Sequence, residues 1–244
     1  MRLLLLLVLL YNIPMNSLVQ SAGEVYDHTF KGHDRLYLSD DRGFYGVFDG
    51  AGGQELSDAI VHALPAVLEA RAHLRQTNQT AFMAAVAADL DNLPEKSRRR
   101  STGAMACVDP QGDDLLLSYV NFGDSSLYFL DESGDTLRLL AHTPTEFLMH
   151  KGRRGSVIVD KFLGAGRSPK KIAPLVGSLV LPKSTGWSVI GITDGIQDDD
   201  DSGVSTNLLE DIVRTNPCSD IPSTVMANTD KYDDAALFIV QRKL

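Results

Sequence analysis

Apolar residues along this chain follow two periods. The segments Leu36-Tyr37-Leu38 and Phe44-Tyr45-Gly46-Val47-Phe48 read as two strands joined by a turn through Asp40, Asp41, Arg42 and Gly43. Beyond the glycines at 50, 52 and 53, Leu56, Ala59, Ile60, Ala63, Leu64, Val67 and Leu68 recur at helical spacing. Pro65 lies inside this run and predicts a kink or break. Residues 79–93 read as a second helix with Phe82, Val86 and Leu90 on one face, ended by Asn92 and Pro94. The period then shortens. Residues 104–108, 115–122, 126–130 and 136–140 are strand-like runs separated by Asp, Gly and Ser turns, which predicts an antiparallel meander. Residues 175–181 and 187–193 read as strands, 207–215 as a short helix and 235–241 as a final strand. Strands and helices are segregated rather than alternating, so the expected class is α+β, with antiparallel sheets covered by helices.

Composition narrows the function. The 244 residues carry no internal repeat and no low-complexity linker, and their length suits one domain with a sizeable core. With 32 acidic and 23 basic residues the net charge is −9, which excludes nucleic acid as the main partner. Cys107 and Cys218 form neither a disulfide framework nor a CxxC pair, and read as a buried small hydrophobe and a loop thiol. Residues 1–21 open with an apolar run, 3–10, behind Arg2. That run is too short for a transmembrane helix and leaves three readings: a signal or anchor, a start site mis-assigned ahead of Met15, or a packed structural segment. If Ala22 opens the first core strand, cleavage beside it would cut into the fold, so the sequence leans towards a cytoplasmic location. Membrane association is expected only if the segment is an anchor.

The chemistry lies at strand ends. Two Asp-Gly pairs follow apolar runs, Asp49-Gly50 and Asp194-Gly195; Asp124 ends a third run and Asp233-Asp234 precedes the last. Asp-Gly is also an ordinary turn signal. Carboxylates at the ends of adjoining buried strands converge, however, and converging carboxylates repel unless protonated or bridged by cations. An all-oxygen set of this kind suits Mg²⁺ or Mn²⁺.

Phe44-Tyr45-Gly46-Val47-Phe48-Asp49-Gly50-Ala51-Gly52-Gly53 resembles the first metal motif of the metal-dependent serine/threonine protein phosphatases of type 2C, the PPM family. Val120-Asn121-Phe122-Gly123-Asp124-Ser125, Ile190-Gly191-Ile192-Thr193-Asp194-Gly195 and Asp233-Asp234-Ala235-Ala236-Leu237-Phe238-Ile239-Val240 resemble its later motifs, in the right order. Ser101-Thr102-Gly103-Ala104 and Phe162-Leu163-Gly164-Ala165-Gly166 match weaker intermediate ones. The resemblance spans residues 22–244 and implies a single phosphatase domain, a sandwich of two antiparallel sheets flanked by helices with a two-metal cleft at one edge.

Carried over, it implies that Asp49 bridges two divalent ions, Mn²⁺ or Mg²⁺, and that Gly50 offers its carbonyl. Asp194 and Asp233 hold the first metal, Asp34 helps hold the second, and Asp124 contributes to a weaker third site. A metal-bridging hydroxide would then attack the phosphorus of phosphoserine or phosphothreonine in a protein substrate, so Asp49, Asp194 and Asp233 act through metal-bound water. A cognate Ser/Thr kinase system and a monomeric state are the matching expectations. The sequence departs from the family pattern at several places: Ala51 stands where some relatives carry a candidate acid histidine, which would leave leaving-group protonation to water, and the flap segment 143–161 is short. Thr29 stands where an arginine usually grips the phosphate, leaving Lys31 as the nearby substrate-binding candidate, and His33 replaces a glutamate, with a hydrogen-bonding role favoured over ligation. Near the flap position, Lys151, Arg153 and Arg154 read as a solvated loop or a greeting surface for phosphosubstrates, and Arg98 to Arg100 and the run 198–201 as exposed loops. A binding module without turnover, or a hydrolase of small phosphate esters, are the competing readings.

Overall fold

A computed structural model describes residues 19–27, 33–51, 54–93, 100–131, 137–141, 149–151, 157–159, 174–196, 204–229 and 234–244. In chain order the strands are β1 (Gln20–Tyr26), β2 (Arg35–Ser39), β3 (Phe44–Ala51), β4 (Arg100–Gln111), β5 (Asp114–Phe122), β6 (Ser126–Asp131), β7 (Arg138–Ala141), β8 (Met149–Lys151), β9 (Val157–Val159), β10 (Leu175–Pro182), β11 (Trp187–Ile192) and β12 (Ala235–Arg242). Helices α1 (Glu55–Ala70), α2 (Ala72–Thr77) and α3 (Gln79–Leu90) follow β3, and α4 (Thr206–Thr215) and α5 (Ile221–Ala227) precede β12. One five-stranded sheet runs β10-β5-β4-β3-β2, a second runs β1-β12-β11-β6-β7, and β8 pairs with β9 alone.

Strand alternation sorts the apolar residues into layers. Tyr45 and Val47 of β3, Ala104, Ala106 and Val108 of β4, and Leu115 and Leu117 of β5 pack against Trp187, Val189, Ala236, Phe238 and Val240. That is the layer between the sheets. Their strand neighbours Phe44, Phe48, Met105, Cys107 and Val120 face the other way, under Leu56, Ile60, Leu64, Phe82 and Val86 of the helices. On the second sheet Ile190, Ile192, Leu237 and Ile239 are covered by Leu209, Ile212 and Val213 of α4 and Val225 of α5. The result is a helix–sheet–sheet–helix sandwich, the α+β class expected.

Two expectations are corrected and two short helices are added. The meander is split: β4 and β5 form a hairpin, but β5 has β10 as its other neighbour, while β6 joins the second sheet beside β11. The chain crosses at Gly123-Asp124-Ser125, where Gly123 has a φ of 73°, a left-handed conformation that costs glycine little. Hydrophobic alternation marks strands but not the sheet each one joins, so similar turns hid the crossing. Pro65 does not break α1, which runs on to Ala70. It lies on the exposed side, while Ile60, Leu64 and Leu68 are buried on both sides of it and hold the helix to the sheet. Helices α2 and α5 are too short, at 6 and 7 residues, to show a periodic pattern in the sequence. Asn78 separates α2 from α3, its side chain capping the amide of Ala81 at 3.0 Å.

β1 pairs with β12 from Gln20 opposite Gln241 to Tyr26 opposite Ala235, so a cut beside Ala22 would remove part of a paired strand. No described helix is long and apolar enough to cross a membrane. The expectations for residues 1–18, Thr29, Lys31, Arg98, Arg99, Arg153, Arg154, 162–166, 198–201 and Asp233 fall outside the described residues, as do the side chains of Arg100 and Lys151.

Phe238 ties the two sheets together, stacked on Tyr45 with ring centroids 6.1 Å apart. Phe238→Ala is expected to cost about 3–5 kcal/mol. Chemical denaturation followed by the fluorescence of Trp187, the chain's one tryptophan and fully buried, measures this directly.

Candidate active site

Asp49 lies two positions beyond Val47 on β3, so it faces the layer between the sheets at the end where that layer stops being apolar. It pairs with Thr102 of β4. Arg35 pairs with Phe48, which puts Asp34 beside Asp49 at the start of β2. On the second sheet Ile192 pairs with Leu237 and with Ser126, so Thr193 and Asp194 leave β11 at the same end, next to the start of β12 and to the crossing at Asp124. Gly50 continues β3 opposite Ser101.

The electrostatics register this gathering. Asp49 keeps some solvent exposure, yet protein surrounds it on most sides. Burial first, then the charges of Asp34 and Asp194, a hydrogen bond with the Asp34 carboxyl and the charge of Asp124, push its acid well above the usual carboxylate range. Without a cation, the protonated acid is favoured at Asp49 over a wider pH range than for an exposed carboxyl.

Hydrogen bonds fix the surroundings. The buried hydroxyl of Thr193 donates to Asp34 Oδ2 at 2.7 Å and accepts from the Ala236 amide at 2.9 Å. The His33 amide donates to Asp234 Oδ2 at 3.1 Å, and the Ser57 hydroxyl donates to the His33 carbonyl at 2.6 Å. His33 thus takes part through its backbone. Arg35 donates from Nη1 to the Asp34 carbonyl at 2.6 Å and from Nε to Asp58, anchoring Asp34 to the first turn of α1. Thr102 and Ser125 bond through their hydroxyls at 3.1 Å, and Asn121 Nδ2 donates to the Ser125 carbonyl, bracing the crossing that carries Asp124. At Gly195 the reason for glycine is room, since a Cβ there would sit 2.0 Å from the Asp234 carbonyl.

Of the residues singled out from sequence, Asp34, Asp49, Asp124 and Asp194 meet here, while Asp233 and Lys31 lie outside the described residues. Sequence reasoning passed over the roles of Thr193, Ser57 and the Thr102–Ser125 pair. Their signal was faint, a hydroxyl residue beside each acidic or glycine motif. Among the described residues no three His, Cys, Asp or Glu side chains converge tightly enough to hold an ion by themselves. The donor set nevertheless fits a hard divalent cation by its chemistry: carboxylate oxygens, with Asp49 both buried and facing the like charges of Asp34, Asp194 and Asp124. A groove of about 630 Å³, lined by Arg75, Gln79, Asp109 and Leu116 among others, lies elsewhere. Asp109 is seven residues from Thr102 along β4, roughly 23 Å at 3.3 Å per residue. The groove has no part in the acidic end.

By sequence, no family model matches the chain and no curated protein matches it. By structure, the serine/threonine phosphatase PstP/Ppp of Mycobacterium tuberculosis superposes with a TM-score of 0.65 at 17% identity, covering 93% of this chain and 100% of the other. The fold is that of the PPM-type phosphatases. PppA, a regulatory component of the type VI secretion system of Pseudomonas aeruginosa, matches the same PPM-type fold with a TM-score of 0.64 at 20% identity, covering 93% and 98% of the two chains. A structure of the PstP catalytic domain in complex with two manganese ions gives 0.61 at 16% identity over 92% and 98%.

The proton on Asp49 makes a testable demand on stability. An acid whose pKa is higher folded than unfolded binds its proton more tightly in the folded state, so stability falls as pH rises from about 4 towards the folded value. In chelator-treated protein, Asp49→Asn is expected to raise the thermal midpoint at pH 8 by at least about 2 °C, corresponding to roughly 1 kcal/mol. The gain disappears near pH 4, and thermal scans of both chains across that range measure it.

Proposed function

We propose that this chain is a divalent-metal-dependent phosphatase that removes phosphate from phosphoserine or phosphothreonine in proteins, and that residues 22–244 form its catalytic domain. The observation carrying this reading is Asp49, held beside Asp34, Asp194 and Asp124 at one end of a PPM-type sandwich. Asp49, the Gly50 carbonyl, Asp34, Asp194 and Asp233 would hold two Mn²⁺ or Mg²⁺ ions, with Asp124 at a weaker third position. Bound there, such ions supply water activation near neutral pH and neutralise the phosphoryl oxygens.

The chain's own residues do the positioning. Asp34 is gripped from three directions, by Asp49, by the Thr193 hydroxyl and, at its carbonyl, by Arg35. The apolar layer behind Asp49 closes one side of the site to water. Neither cysteine is an available nucleophile. Burial holds the Cys107 thiol well above its ordinary range and pushes Cys218 up to about 11, so both stay protonated thiols in the core. With no thiol available, attack by solvent is the route that fits this reading. The substrate's source would be a Ser/Thr kinase acting on the same proteins.

The test is hydrolysis of a phosphothreonine peptide across a Mn²⁺ titration, with excess chelator and Asp49→Asn in parallel. Turnover should need the ion and fall at least about a hundredfold in the variant. Folded protein without turnover at any Mn²⁺ concentration would favour a binding module. Faster turnover of sugar phosphates would move the substrate class to small esters.

A further inference from the structure

We propose that Thr193 is a positioning residue that aims the Asp34 carboxylate at the cation site; this rests on the metal-dependent reading above. The hydroxyl is fully buried and has one proton to give. The Ala236 amide donates to Oγ1 at 2.9 Å, which occupies a lone pair and fixes the oxygen's orientation. Two acceptors then compete for the hydroxyl proton, Asp34 Oδ2 at 2.7 Å and the Ala236 carbonyl at 3.5 Å. The shorter contact takes it. The Ala236 carbonyl is already served by the Thr193 amide at 3.0 Å.

Asp34 depends on this bond because of where it stands. It is almost wholly buried and stands just before β2, opposite Asp49 by the register of the pair. Arg35 holds its carbonyl, and Ser57 holds the carbonyl of His33 before it. These contacts fix the main chain and leave the carboxylate's rotation to its side-chain partners. Thr193 occupies Oδ2 from the opposite sheet, and a β-branched residue is stiff at χ1, so the direction it imposes is well defined. With Oδ2 committed to Thr193, the carboxylate plane is set towards Asp49 and the gathered acids.

The experiment measures Mn²⁺ binding by isothermal titration and by electron paramagnetic resonance of free Mn²⁺, with no substrate present. Folding of each chain is checked first by thermal unfolding in chelator. Thr193→Val is expected to weaken binding about tenfold, and Thr193→Ser, which keeps the hydroxyl, to stay within about twofold of the parent. In an Asp34→Ala background, Thr193→Val is expected to cause no further loss, because the residue acts through Asp34. Thr193→Ala, which leaves room for a water at the Ala236 amide, carries the same measurement should the valine chain not fold. Unchanged binding in the valine or alanine chain, loss in the serine chain, or an undiminished loss in the Asp34→Ala background would each overturn the role of Thr193 alone. A parent chain that binds no Mn²⁺ at millimolar concentration would overturn the metal-dependent reading, and this proposal with it.

Discussion

The apolar layer between the sheets decides where the acidic groups stand. Alternation along β3 sends Tyr45 and Val47 into that layer, and Asp49 must follow them. A slip of one residue in the β3 pairing would turn Asp49 towards α1 and bring Phe48 inward. The same parity directs Thr102 on β4 to the inside, next to Ala104. The polar end of the sandwich is thus the continuation of the core's own pattern past the point where bulky apolar side chains stop.

Gathering carboxylates at that point works against folding, and the rest of the molecule offsets it. Three apolar layers, two of them under helices, hold a register that the repulsion alone would loosen. The raised pKa of Asp49 relieves part of the repulsion by favouring its protonated form, and the hydroxyls of Thr193, Thr102 and Ser125 supply hydrogen bonds inside a region closed to water. On the proposed reading, a cation that binds only the folded state would relieve the remainder and stabilise the fold by mass action. Stability and chemistry would then depend on the same ion.

Much of this was legible in the sequence because the relevant signals are local. The pairs Asp49-Gly50 and Asp194-Gly195 each stand at the end of an apolar run, and the strands they end were marked by alternation. The helix carrying Leu56, Ile60 and Leu64 was marked by its period, and Pro65 misled only because burial on both sides outweighs one missing amide. What stayed hidden depends on distant partners. Nothing in residues 115–130 says that β5 and β6 belong to different sheets. Thr193 looks like any residue before an Asp-Gly turn until Asp34, 159 positions away, is placed against it.

The pairing of β1 with β12 has a consequence for synthesis. β2, β3, β4 and β5 pair between sequence neighbours, though α1–α3 intervene before β4, and Asp34 and Asp49 belong to this earlier part. The second sheet is different, because β1 lies at its edge and finds its partner only in β12, with Gln20 opposite Gln241. Contacts at such separation form late, and cannot form before β12 itself has been synthesised. Thr193, Asp194 and Asp234 arrive with that late half. Until then the chain carries only part of its acidic end, and whatever the site does begins when β12 docks.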